Sequence, residues 1–190
     1  MGYLGTIFSM KKQKRQDWIE KGYLLVAEEG LQSLHIESIA RAIGKSKSSF
    51  YHYFGDKEVF EEDLLNHHIK QITSLGDRAL QCQSIRPEFV ELLLECKNDL
   101  FFNKQLRLQR DNPAYKACFE AAQEIYEKAT FNLWVVYFGL AENKTFLKLF
   151  LKFFAENFLL KISQDNYNYD WLDNYVQELQ VMLKEIKISP

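Results

Sequence analysis

The sequence predicts an all-α protein: a small N-terminal head of three helices, then a larger helical body, about nine helices altogether. Three observations carry this. Apolar residues recur at helical spacing through most of the 190 residues, and no stretch alternates as a strand does. Chain breakers are few, 8 Gly and 3 Pro against 15 Phe and 10 Tyr. Local capping signals mark several of the helix ends.

The first helix is expected from Lys11 to Glu29, with Trp18, Ile19, Gly22, Tyr23, Val26 and Ala27 along one face and Gly30 closing it. Residues 1–10 precede it as a loose arm. A short helix over Ile36–Ile43 ends at Gly44, and a tight turn through Lys45 and Ser46 leads to a third over Lys47–Tyr53. Asp56 caps a fourth that runs towards Leu75, with Glu58 in its first turn as the helix dipole prefers. An apolar helix covers Phe89–Phe102. Asn112 and Pro113, a cap and a first-turn proline, open another that reaches Gly139. Two long helices, Lys144–Ile162 and Tyr169–Ile186, close the chain. This divides it into an arm (1–10), a head (11–56, with a helix-turn-helix at 35–54) and a body (57–190).

The net charge of −2 conceals a division. Residues 1–60 hold nine basic and seven acidic residues, whereas the remainder holds 15 basic and 19 acidic. A protein of this balance is not a general nucleic-acid binder, and only its N-terminal end suits a polyanion. Cys82, Cys96 and Cys118 have no metal-ligand spacing and read as small apolar residues of a reduced, cytoplasmic protein. His67 and His68, adjacent on one helix, read as solvated surface rather than a metal site. No phosphate-binding glycine loop and no nucleophile beside a base is visible, so an enzyme is not expected and neither cofactor nor metal is called for. No signal peptide or membrane partner is expected either.

The third helix is unusual for a purely structural one. It opens Lys-Ser-Lys-Ser-Ser and closes Phe-Tyr-His-Tyr-Phe. Phe50 and Phe54, four apart, face the core, which turns Lys47, Ser48, Ser49, Tyr51 and His52 outward. Cations, hydroxyls and short side chains suit phosphates and base edges, and Ser46 can cap the helix start. The stretch Ile39-Ala40, Gly44, Ser46, Tyr51-His52-Tyr53-Phe54 and Lys57-Glu58 resembles the signature of the TetR family of transcription regulators at fixed spacing. The likeness covers about residues 12–60. It implies that Lys47, Ser48, Ser49 and His52 face bases or the adjacent backbone, that Tyr51 and Lys57 contact phosphates, and that the start of the second helix touches the opposite strand. Two departures stand out. His35 occupies the start of the second helix, where the family often has Thr, and so must act as a weaker cap. Lys45 and Ser48 replace residues that are often Val and Gly.

The body carries more apolar residues than one core needs. Between Lys144 and Ile162 they surround nearly the whole helix, so one side needs a partner. Phe150, Phe154 and Phe158, with Leu172, Val176, Leu179 and Leu183 of the last helix, are the expected dimer contacts. The resemblance also implies a dimer made by the last two helices. Aromatic residues of the preceding helices fill an ordinary core or line an apolar cavity, and composition leaves both open. As a cavity, its candidate lining is Asn98, Phe101, Phe102, Leu106, Tyr115, Phe119, Tyr126 and Trp134, with Arg107 and Asn132 as further polar groups. The resemblance implies an effector there, which the lining would make small and hydrophobic or aromatic. The expectation is a homodimeric repressor on double-stranded operator DNA, nucleoid-associated. The alternative is an effector-independent architectural protein on the same fold.

Overall fold

The computed structural model describes the backbone of residues 2–188 and the side chains of residues 13–186. Among them are nine α-helices and no strand: α1 (Gly2–Glu29), α2 (Ile36–Ala42), α3 (Lys47–Phe54), α4 (Lys57–Ala79), α5 (Val90–Glu95), α6 (Lys97–Leu108), α7 (Pro113–Phe138), α8 (Lys144–Lys161) and α9 (Tyr169–Ile188). No helix among the described residues is long and apolar enough to cross a membrane.

Most helix ends follow local chemistry. Ser46, Asp56, Asn112 and Asn143 each accept a backbone N–H of the turn that follows, which satisfies donors that a helix start leaves free. Gly44 turns the chain between α2 and α3 with φ 64°, a conformation open to glycine at little cost. His35 sits at the start of α2 in extended conformation but makes no capping hydrogen bond. The weak cap expected of it is not formed.

Two boundaries depart from expectation. The α1 backbone is helical from Gly2 rather than Lys11, because residues 6–10 contain neither Gly nor Pro and nothing there interrupts the hydrogen-bond ladder. The side chains of the expected arm lie outside the described residues. The single helix expected over Phe89–Phe102 is two, α5 and α6, bent at Cys96 (φ −91°, ψ 25°). No breaker marks the bend. The two halves pack on different partners, α5 on α9 and α6 on α1 and α7.

One core runs through both parts. In the head, Trp18, Ile39, Phe50 and Phe54 are buried, and Phe60 of α4 reaches into them, its ring 5.2 Å from Phe50 and 4.8 Å from Phe54. The approach is close: a Cβ on Gly22 of α1 would stand 2.7 Å from Phe60. Arg15 of α1 stacks over Phe54 and pairs with Asp63 of α4 at 2.5 Å. A second cluster, including Leu147, Phe150, Leu179 and Leu183, joins α8 to α9.

Candidate nucleic-acid interface and cavity

The outward side of α3 follows from what its inward side needs. Phe50 is fully buried against Trp18, and Phe54 is 4% exposed. Lys47, Ser48, Tyr51 and His52 therefore stand in solvent, and Ser49 is half-buried. The helix start is held by side chains: Ser46 Oγ accepts Ser49 N–H at 3.3 Å and lies 2.9 Å from Ser48 Oγ, while Ser49 Oγ donates to Ser46 O at 2.7 Å. Tyr51 rests edge-on to Phe50, and His52 leans on Tyr53. Lys45 is exposed on the turn, and His35 is exposed at the start of α2. Lys57 is also exposed but pairs with Glu61 at 3.2 Å.

Lys47 carries one contact that the sequence did not suggest. It forms an ion pair with Glu37 of α2. Each holds the other charged: the Lys47 ammonium and a backbone N–H lower the Glu37 carboxyl, and the carboxylate raises Lys47. Both are exposed, so the pair is easily exchanged for another anion. The face thus presents cations and hydroxyls over a rigid aromatic base, fit to meet a phosphate backbone and groove-edge groups.

In the body, a cavity of about 470 Å³ lies between α6, α7, α8 and α9. Of the lining residues expected, Phe119, Tyr126 and Trp134 border it, as does Arg107. Phe101, Phe102 and Leu106 are buried in core beside it and do not line it. Asn98 and Asn132 are exposed elsewhere. Tyr115 is likewise not on the cavity: its hydroxyl donates to Glu61 at 3.0 Å, and burial with that carboxylate beside it pushes the phenol up to about 12. Arg107 binds Glu156 of α8 at 2.6 Å, a pair at the cavity's edge.

Of the residues expected at a dimer interface, five are buried within the single chain, while Phe154 and Phe158 are half-buried. Leu172, Val176, Leu179 and Leu183 are 1–4% exposed within the single chain, and Phe150 is 7% exposed. Phe154, Phe158, Leu172, Val176 and Leu179 border the cavity. Among the described residues, the large apolar side chains that these helices leave in solvent are Leu149, Phe153 and Leu160 of α8 and Val181, Met182 and Ile186 of α9. The stripe singled out in the sequence is the one that holds these helices to their own chain.

Sequence reasoning also misplaced His68. It is fully buried, not solvated, and burial pushes its imidazole down to about 3. The signal was present: Phe60, Leu64, His68 and Ile72 form one stripe at intervals of four along α4, all buried. Asn103 and Thr130 are the other buried polar residues among those described, and both border the cavity.

A family model described as bacterial regulatory proteins, tetR family, matches residues 19–62. The whole chain is similar in fold to a proposed TetR-family transcriptional regulator from Rhodococcus sp., 14% identical, with a TM-score of 0.56 over 89% of this chain and 99% of that one. It is also similar to a proposed TetR-family transcriptional regulator from Mesorhizobium loti MAFF303099, 15% identical, with a TM-score of 0.54 over 90% and 97% of the two chains. No match is found among curated proteins.

Proposed function

We propose, from the match of residues 19–62 to the tetR family of bacterial regulatory proteins and the likeness in fold to two TetR-family regulators, that this chain is a DNA-binding, homodimeric repressor released from its operator by a small apolar ligand. The observation that carries the reading is the division of α3, which Phe50 and Phe54 anchor while Lys47, Ser48, Tyr51 and His52 are exposed on its outer face. With Lys45, Ser46, Ser49, Lys57 and His35 they form the proposed contact face. DNA phosphate replaces Glu37 as the partner of Lys47.

The dimer is supported by the apolar side chains that α8 and α9 leave in solvent. Leu149, Phe153 and Leu160 follow one helical face, and Phe153 is 68% exposed. A second copy meeting the same surface about a two-fold axis closes it into a four-helix bundle. Paired heads then reach successive major grooves, about 34–36 Å apart or more on a longer site.

Ligand response is supported by the cavity. Its volume suits a drug-sized molecule, and α4, which carries Ile72 into its lining, packs its Phe60 into the core of the head. A ligand that binds better to the dimer with misaligned heads shifts the population away from DNA.

The test is binding of the purified full-length protein to the duplex upstream of its own gene across a salt series. The expected result is an affinity that falls linearly on a log–log plot. An affinity indifferent to salt, or none, contradicts the reading.

A further inference from the structure

Four polar side chains meet where the head adjoins the cavity. The Tyr23 hydroxyl of α1 lies 2.9 Å from Oδ1 of Asp99 and 2.8 Å from Nδ1 of His68. Nε2 of His68 lies 3.3 Å from the Oδ1 end of the Asn103 amide, and Asn103, 6% exposed, borders the cavity.

Tyr23 has one hydrogen for two neighbours. The charged groups around Asp99 decide where it goes. The Tyr23 hydroxyl is placed to donate to Oδ1, and that hydrogen bond and Arg78 of α4 favour the carboxylate, while burial is the larger influence and raises its pKa above the usual carboxylate range. The His68 ring meets Tyr23 and Asn103 and packs on Phe102, and burial and His67 disfavour its charged form. With Asp99 ionised, the Tyr23 hydrogen goes to the carboxylate. The hydroxyl oxygen can then only accept, so the neutral His68 ring carries its hydrogen on Nδ1. That leaves Nε2 an acceptor, and an acceptor cannot face Oδ1. A half-turn of the amide, which leaves its shape unchanged, brings Nδ2–H to Nε2 and sends the carbonyl oxygen to the cavity side. The opposite chain, with the amide N–H inward, requires a proton on Asp99.

We propose that Asn103 is a specificity-determining residue of the cavity: its carbonyl oxygen takes a hydrogen-bond donor of the ligand, a hydroxyl or an N–H, and His68, Tyr23 and Asp99 hold it in that orientation. Of the other acceptors in the lining, the carboxylates Glu120, Glu124, Glu127 and Glu156 are each paired with a cation of the chain. Thr130 already donates to Tyr126 O at 2.9 Å, and a tyrosine hydroxyl such as that of Tyr126 can donate or accept. The inference rests on the cavity being the ligand site.

The probes are 2-naphthol and 2-methoxynaphthalene, which share the naphthalene rings and the oxygen and differ where a methyl replaces the one donor hydrogen. In calorimetry with the full-length protein, 2-naphthol is expected to bind about tenfold more tightly. In Asn103→Leu the two bind equally, and 2-methoxynaphthalene keeps its affinity. Equal binding to the unmodified protein, or a preference that survives Asn103→Leu, overturns the inference and leaves the cavity reading intact. Binding of neither probe overturns the cavity reading and this inference with it. An independent check without ligand is the ¹⁵N spectrum of the imidazoles, with His68 assigned by its loss in His68→Gln. A hydrogen on Nδ1 of His68 is expected, and one on Nε2 overturns the inference.

Discussion

The head and the body bury similar residues under different demands. In the head, each helix has one inner face and one outer face: Trp18, Ile39, Phe50 and Phe54 point in, and nearly every neighbour on α3 points to solvent. In the body, apolar residues of α8 have three destinations. Leu147 and Phe150 enter the core, Phe154 and Phe158 border the cavity, and Leu149 and Phe153 remain outside. Helical periodicity says which residues share a face, but not which of several apolar environments that face meets. Where one face is buried, pattern alone locates the working surface; where all are apolar, tertiary packing decides.

The contrast is sharpest between neighbours on α3. Phe50→Ala is expected to cost about 3–5 kcal/mol in urea unfolding, whereas the adjacent Tyr51→Ala stays within about 0.5 kcal/mol and loses DNA affinity instead. Equal destabilisation of the two would break the division into anchor and contact faces. On α8 the corresponding test is Phe153→Glu. It should leave the helical circular dichroism intact and yield monomers in sedimentation, a loss of about 3 kcal/mol in association at a central apolar contact. The same change at Leu179, inside the chain, should prevent folding; a folded monomer there would exchange the two surfaces.

The buried imidazole gives a prediction with pH. His68 binds a proton near 6.5 when unfolded and only near 3 when folded. The unfolded state therefore takes up more protons in that interval, and stability falls as pH drops from 6.5 towards 3. The contribution is about 1.4 kcal/mol per pH unit, absent above that window. His68→Gln should flatten this part of the unfolding profile; an unchanged slope would place the group in solvent. Smaller effects return to α3. Lys47→Ala should weaken operator binding about tenfold and reduce the salt slope by about 1. Ser46→Ala, which removes the cap accepting Ser49 N–H, should cost about 1 kcal/mol.

What could be read in advance follows the range of the interactions involved. The caps at Ser46, Asp56 and Asn112 act within three residues and were legible, as was the in-and-out division of α3. The bend at Cys96 was not, since it answers to α9 on one side and α1 on the other. The Lys47–Glu37 pair spans ten residues across a turn and needed the angle between α2 and α3. The stripe of Leu172, Val176, Leu179 and Leu183 is apolar in the sequence, which does not say how much of it the chain's own α5 and cavity wall bury. His68 is different: its place between Leu64 and Ile72 was legible, and the polarity of the residue obscured it.

The most direct measurement is selection of bound duplexes from a random DNA library by the purified full-length protein, followed by sequencing. Two heads on a two-fold axis predict an inverted repeat whose half-sites lie one or more helical turns apart, lost in both Lys47→Ala with Tyr51→Ala and in Phe153→Glu. An unpaired half-site, or no enriched sequence, would contradict the account.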